Sequence, residues 1–158
     1  MAMPTVDQQL CFALYSASRA MTASYRPLLD GLGLTYPQYL VMLVVWEEER
    51  ISVGHLGERL RLDSGTLSPL LKRLEAHGVV RRVRSTADER VVDVVLTREG
   101  RALQERASDV PRQAWAATGL SASESYDLVH AVQQLTRSLE ASRHDPTPHD
   151  PSPQKDPA

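Results

Sequence analysis

The chain has 158 residues, 18 basic against 20 acidic for a formal net charge of −2, and a single cysteine. That length supplies one hydrophobic core but not two independent ones, and one thiol excludes both an intramolecular disulfide framework and a thiolate zinc site. No stretch reaches the roughly 18 uncharged apolar residues of a membrane span, and Met1-Ala2-Met3-Pro4 lacks a basic segment leading into an apolar run, so the sequence reads as cytoplasmic with no membrane association.

From Val6 to Leu29, apolar residues recur at helical spacing (Leu10, Leu14, Ala17, Met21, Leu28), and Pro27 predicts a kink or break near the end. Asp30-Gly31-Leu32-Gly33 is turn chemistry. Thr35-Tyr36-Pro37-Gln38 is a capping box that starts a helix to about Glu48, whose body from Tyr39 to Trp46 is apolar nearly all round and therefore buried on several sides. Glu47-Glu48-Glu49 opposes the helix dipole and reads as a solvated run. Ser52 caps a short helix to about Leu60, and Asp63 or Ser64 caps another to about His77, stopped by Gly78. These two helices, joined by Arg61-Leu62-Asp63, form a helix-turn-helix. Val79 to Arg84 and Val91 to Leu96 are strands around a polar tip at Ser85 to Arg90. Thr97 caps a helix to about Ser108, and the capping box Ser121-Ala122-Ser123-Glu124 starts the last helix, to about Ser142. Residues 143–158, with five prolines, read as a disordered tail. The predicted fold is mainly α with a small β-hairpin wing.

Charge is uneven along this layout. From Arg50 to Arg106 there are 12 basic residues against 8 acidic, and elsewhere 6 against 12. In the second helix of the pair, Leu67, Leu70, Leu71 and Leu74 mark a buried stripe, leaving Ser64, Thr66, Ser68, Lys72 and Arg73 outward. Small hydroxyl residues permit close approach to base edges and phosphates, and helix N-terminal amides favour phosphate as well. Arg81, Arg82 and Arg84 lie on the outgoing strand. Arg90 stands beyond the tip, where an arginine can enter a minor groove, and Asp88 is placed to hold its guanidinium. Each segment alone also fits an ordinary solvated face; together they predict a double-stranded DNA contact made by Ser64, Thr66, Ser68, Lys72, Arg73, Arg84, Asp88 and Arg90.

Asp88-x-Arg90-x-x-x-Val94-x-Leu96-Thr97-x-x-Gly100, preceded by that helix pair, resembles the wing signature of the MarR family of winged-helix regulators. The resemblance covers residues 6–142. It implies one winged-helix domain with a DNA-binding lobe at about 50–100 and dimerisation helices at about 6–30 and 98–142. It also implies a homodimer whose two recognition helices meet successive major grooves of a pseudo-palindromic operator.

A lone cysteine between Leu10 and Phe12 is read either as a small core hydrophobe or as a reactive thiol. The segments Leu10 to Tyr15, Tyr25-x-Pro27-Leu28-Leu29, Leu34 to Leu40 and Leu62 to Leu67 resemble the organic-hydroperoxide-sensing OhrR branch of the same family. In that branch the matching cysteine, here Cys11, is the redox-sensing thiol, and partner-subunit tyrosines matching Tyr25 and Tyr36 orient it. Tyr15 and Tyr39 are neighbours whose simpler role is packing. With no second cysteine, the chain resembles the one-cysteine type, in which the oxidised thiol reacts with a low-molecular-weight thiol. The five histidines lack ligand spacing, and neither a metal nor a cofactor is expected.

The sequence therefore predicts a redox-sensing repressor, not an enzyme, that leaves operator DNA when organic hydroperoxides oxidise Cys11. One rival is a MarR-type repressor released by a small aromatic or lipophilic ligand, which a Cys11→Ser protein still responsive to inducer would favour. A second is a thiol peroxidase, which would turn over peroxide steadily with excess thiol.

Overall fold

The computed structural model describes residues 5–85 and 88–144. A 3-10 turn at Val6–Gln8 precedes α1 (Leu10–Asp30), α2 (Tyr36–Glu48), β1 (Arg50–Ser52), α3 (Val53–Leu60), α4 (Ser64–Ala76), β2 (Val80–Arg84), β3 (Val92–Leu96), α5 (Arg98–Ala107), α6 (Val110–Ala116) and α7 (Ala122–His144). Residues up to Thr118 form one compact unit, and α7 belongs to a second. Among the described residues no helix is long and apolar enough to cross a membrane. Of the expected tail, 143 and 144 belong to α7, and the rest lies outside the described residues.

The first helix differs from expectation at both ends. Gln9 is extended, so the Thr5–Gln8 turn stands apart and α1 proper begins at Leu10. The expected kink or break at Pro27 does not end the helix, which continues through it to Asp30. Leu29, 1% exposed, and the partly buried Leu28 anchor that last turn in the core. Each large apolar side chain buried contributes about 1.5–3 kcal/mol, enough together to offset the ~3 kcal/mol that an interior proline costs.

The α2 capping box forms, with Thr35 N–H donating to Gln38 Oε1 at 2.8 Å. Val41, Met42 and Val45 are each 0% exposed, so α2 is the central post of the core. Against it pack Leu56 of α3, Leu67, Leu71 and Leu74 of α4, and the inner faces of the strands. The expected hairpin is a three-stranded antiparallel sheet in the order β1-β3-β2, because Arg50–Ser52 adds an edge strand that sequence reading missed. Ile51 pairs with Val94, burying both, and Arg50 Nε donates to Asp93 Oδ2 at 2.8 Å.

The wing is fastened at its base. Thr97 Oγ1 donates to the Gly78 carbonyl at 2.7 Å and accepts the Gly100 N–H at 3.0 Å, capping α5 and tying it to the start of β2. Gly100 presses on the same point: a Cβ there would lie 2.2 Å from the Val79 carbonyl oxygen and 2.6 Å from Leu96 Cδ1. The Gly100 carbonyl accepts from Trp46 Nε1 at 2.9 Å. The sequence pattern Leu96-Thr97-x-x-Gly100 is therefore a packing requirement, since only a residue without a side chain fits.

Gly100→Ala should destabilise the fold by about 2 kcal/mol or more, since the clash is with backbone. Gly54→Ala, in the first turn of α3 with nothing within 4 Å of its would-be Cβ, should be neutral or stabilising by up to about 1 kcal/mol. Urea unfolding of the two variants checks the contrast in sign; equal effects would contradict it.

Candidate nucleic-acid interface and thiol site

α4 presents the expected face. Leu67, Leu71 and Leu74 are buried and Leu70 is partly so, while Ser64, Thr66, Ser68, Lys72 and Arg73 are exposed. Of the N-terminal amides, expected to favour phosphate, that of Thr66 is already engaged: Asp63 Oδ1 accepts from Thr66 N–H at 2.9 Å, and Oδ2 accepts from the Thr66 hydroxyl at 2.9 Å. Those bonds, the backbone one first, hold the Asp63 carboxyl below its usual range. The helix thus carries its own anion at that end, which offsets the positive end of its dipole there.

The wing arginines divide into two kinds. Arg82 is clamped to α4, its amide donating to Glu75 Oε1 at 2.9 Å and its guanidinium to Glu75 Oε2 at 2.9 and 2.7 Å, which lowers the Glu75 carboxyl. Arg81 and Arg84 are exposed on β2. At the tip, Thr86 and Ala87 lie outside the described residues. Asp88 does less for the Arg90 side chain than its spacing suggests. Its Oδ1 accepts the Arg90 backbone N–H at 2.9 Å, but the Arg90 Nε lies 3.8 Å away and the side chain is 95% exposed. Asp88 thus shapes the turn and leaves the guanidinium extended. Ser68, Arg82 and Arg90 line one cleft of about 480 Å³ between α4, the sheet and the start of α3.

Sequence reading missed the role of the acidic run. Glu47 and Glu48 both receive the Arg59 guanidinium, the first at 2.8 Å, and Glu49 receives Arg101. The run is exposed, but it braces α3 and α5 against α2 rather than being merely solvated.

Cys11 lies in the first turn of α1 and is exposed. Leu10 is 61% exposed and Phe12 37%, so the expectation of a thiol packed among them is not met within this chain. The tyrosines are elsewhere. Tyr25 stacks obliquely on Tyr36 with ring centroids 4.9 Å apart, and Tyr39 packs on Tyr25 at 5.7 Å and on Trp46 at 6.1 Å. Tyr25 lies fourteen residues after Cys11 along continuous helix, about 21 Å at 1.5 Å per residue. Cysteine and tyrosine side chains together span less than half of that. Within one chain the structure brings the two tyrosines together and keeps Cys11 apart from them. Tyr15 packs under the Arg19 guanidinium, its hydroxyl accepting from Nη1 at 2.9 Å.

Burial, then the neighbouring Tyr36 phenol, raises the Tyr25 hydroxyl, and burial with the Tyr25 and Tyr36 phenols pushes Tyr39 up to about 12. Both remain proton donors over the physiological range. Tyr39 keeps its proton in the folded chain to about pH 12 but releases it near pH 10 when unfolded. The unfolded state therefore gains as pH rises from about 10 to 12. Tyr39→Phe should remove that part of the alkaline loss of stability, which chemical denaturation at pH 9 and pH 11 measures. An unchanged pH dependence would place Tyr39 outside the titrating core.

Residues 23–107 match the family described as transcriptional regulator SarA/Rot. The chain is 48% identical over 135 residues to the organic hydroperoxide resistance transcriptional regulator of Bacillus subtilis (strain 168), spanning 85% of this chain and 90% of that protein. It is 49% identical over 137 residues to the HTH-type transcriptional regulator TtmR of Methylorubrum extorquens (strain PA1), spanning 87% and 70%. AbfR of Staphylococcus epidermidis is also similar. Its reduced form bound to DNA superposes with a TM-score of 0.72 at 35% identity, over 85% of this chain and 94% of that one. The overoxidized form bound to DNA gives 0.69 at 36%, over 84% and 93%.

Proposed function

This chain belongs to the SarA/Rot type of MarR-like winged-helix transcriptional regulators, and from that premise we propose that it is a homodimeric repressor switched by oxidation of Cys11. The reduced dimer holds a pseudo-palindromic operator through α4 and the wing. Organic hydroperoxides release it. The observation that carries this reading is the separation of Cys11 from Tyr25 and Tyr36 within one subunit, in a chain 48% identical to a hydroperoxide resistance regulator. Two copies related by a two-fold axis, with their α1 helices antiparallel, set the thiol of each against the phenols of the other. The exposed Leu10, Phe12 and Tyr15 around Cys11 then become interface.

The chemistry follows from that pairing. Phenol hydroxyl groups donating to the sulfur favour the thiolate, which attacks the terminal peroxide oxygen. The O–O bond breaks and the sulfur loses two electrons to become a sulfenic acid. The departing alkoxide takes a proton from water and leaves as the alcohol. A low-molecular-weight thiol then attacks the sulfenic sulfur, water departs, and a mixed disulfide remains. Chemistry ends there without turnover, so the thiol is a sensor and not a catalytic centre.

An adduct of that size cannot share the interface with Phe12 and the facing tyrosines. Overpacking costs about 1–3 kcal/mol, and a polar group without partners adds to it. A bias of roughly 3 kcal/mol toward a dimer with misplaced recognition helices lowers operator affinity by about two orders of magnitude. AbfR is bound to DNA when overoxidized, and here too bare oxygens on sulfur are the smaller disturbance; the bulky disulfide is the durable off state.

Gel-shift titration on the operator, before and after cumene hydroperoxide and a small thiol, tests the proposal. Wild-type protein should lose about a hundredfold in affinity, and Cys11→Ser should bind and ignore the oxidant. A Cys11→Ser protein still released by peroxide would end the reading. On the DNA side, Arg90→Ala should weaken binding and reduce the salt slope by about one unit while the oxidative response persists; an unchanged slope removes Arg90 from the contact. Tyr25→Phe and Tyr36→Phe should each slow oxidation of Cys11, read from loss of the free thiol with time after peroxide. If neither variant slows it, the tyrosines serve packing alone.

A further inference from the structure

Glu75 is an acid on the helix read as meeting DNA. It stands seven residues after Ser68 on α4, two helical turns and about 10 Å along the same side, where a carboxylate repels the phosphates that neighbouring cations attract. Its partner explains the placement. Side chains alternate along β2, so Arg82 shares the face on which Val80 is buried and is aimed at α4, while Arg81 points to the other side. Glu75 directs both oxygens to that one residue: Oε1 accepts the Arg82 backbone N–H, and Oε2 accepts from Nε and Nη2. The guanidinium is held by one edge. Nη1 has no partner among the described residues, so Nη1 and the second hydrogen of Nη2 form an open edge that can still donate.

That arginine lines the cleft shared by Ser68 of α4 and Arg90 beyond the wing tip. Where α4 lies in a major groove and Arg90 reaches the adjacent minor groove, the sugar-phosphate strand dividing the two grooves has to run through this cleft. Arg82 stands beside its path. The Glu75–Arg82 pair is a surface one, each side chain about one-third exposed, and such pairs add little to folding stability. What the pair does is fix where the guanidinium sits.

We infer that Arg82 binds a phosphate of the strand between the grooves, and that Glu75 is the positioning residue that holds it ready before DNA arrives. This rests on the reading of α4 and the wing as the operator contact. Ordering a long side chain at the moment of binding weakens a complex by about two- to tenfold, and the Glu75 clamp removes that penalty in advance. The expected sign is the reverse of simple charge counting. Taking an anion away from the DNA face should weaken binding.

The test uses full-length reduced protein, fluorescence anisotropy and two duplexes of equal length, one selected by the wild-type protein from a random pool and one of unrelated sequence. Arg82→Ala should lower affinity about tenfold and the salt slope by about one unit, on both duplexes alike because a phosphate carries no sequence. Glu75→Ala should lower affinity about fivefold with the slope unchanged, and Glu75→Gln, which keeps one acceptor oxygen, should recover part of the loss. In the Arg82→Ala background, Glu75→Ala should weaken binding no further. Tighter binding by Glu75→Ala, an unchanged slope in Arg82→Ala, a loss confined to the selected duplex, or full additivity of the two substitutions overturns the inference. A wing displaced by the loss of Glu75 is read separately: Arg90→Ala should weaken the Glu75→Ala protein by the same factor as wild type, and disappearance of that factor also overturns the positioning role. If the wild-type protein selects no duplex, or Arg90→Ala leaves its binding unchanged, the underlying reading falls and this inference with it.

Discussion

An unbroken helix fixes the distance between the thiol and the phenols. α1 runs from Leu10 to Asp30 with Cys11 in its first turn and Tyr25 in its fifth, so the two are held about 21 Å apart. No side-chain motion closes that gap, and bending the helix would break the backbone bonds that make it a helix. Under the proposed reading the sensor is incomplete in one chain and a second copy supplies the missing half; the exposure of Leu10 and Tyr15, each more than half exposed, supports it. On that reading one geometric constraint makes the redox chemistry depend on the oligomer whose arrangement positions the recognition helices.

The tyrosines on the receiving side are not isolated. Tyr36 rests on Tyr25, Tyr25 on Tyr39, Tyr39 on Trp46, and the Trp46 indole donates to the carbonyl of Gly100, whose Cα is pressed against the Val79 carbonyl at the base of the wing. These contacts run through the core around α2. Close-packed interiors yield by discrete repacking rather than by gradual compression. Under the proposed reading, displacing Tyr25 and Tyr36 with an adduct loads the column on which the wing is mounted. Glu47 and Glu48 on Arg59, and Glu49 on Arg101, link α3 and α5 to α2 at the surface.

Much of this was legible in the sequence because local chemistry and tertiary role coincide. The Thr35–Gln38 box, the Ser52, Asp63 and Thr97 caps and the leucine stripe of α4 are short-range devices, and each occurs where its residues predict. The pattern ending in Gly100 was legible as a motif, and the structure gives its cause in a close approach of backbone. The misses have long-range causes. β1 is three residues long and owes its existence to β3, which comes 40 residues later. Pro27 reads as a breaker until the burial of Leu29 is known. The seven residues of α6 follow α5 so closely that Asp109 and Pro111 were passed over as a new start. The acids at the end of α2 could not be assigned partners from spacing alone, because Arg59 and Arg101 come from other helices. The surroundings of Cys11 are exposed rather than packed within this chain, because helical spacing marks an apolar face without saying whether the same chain covers it.

Mixed dimers test the shared site most directly. When a Cys11→Ser subunit is paired with a Tyr25→Phe, Tyr36→Phe subunit, one intact site is rebuilt across the interface: the second subunit's thiol faces the first subunit's phenols. When a wild-type subunit is paired with one carrying all three substitutions, every complete thiol–phenol set lies within a single chain and none spans the interface. The rate of Cys11 oxidation in each tagged and purified heterodimer is the measurement. The account predicts fast oxidation at half the thiols of wild type in the first pairing and slow oxidation in the second. The reverse order would contradict it.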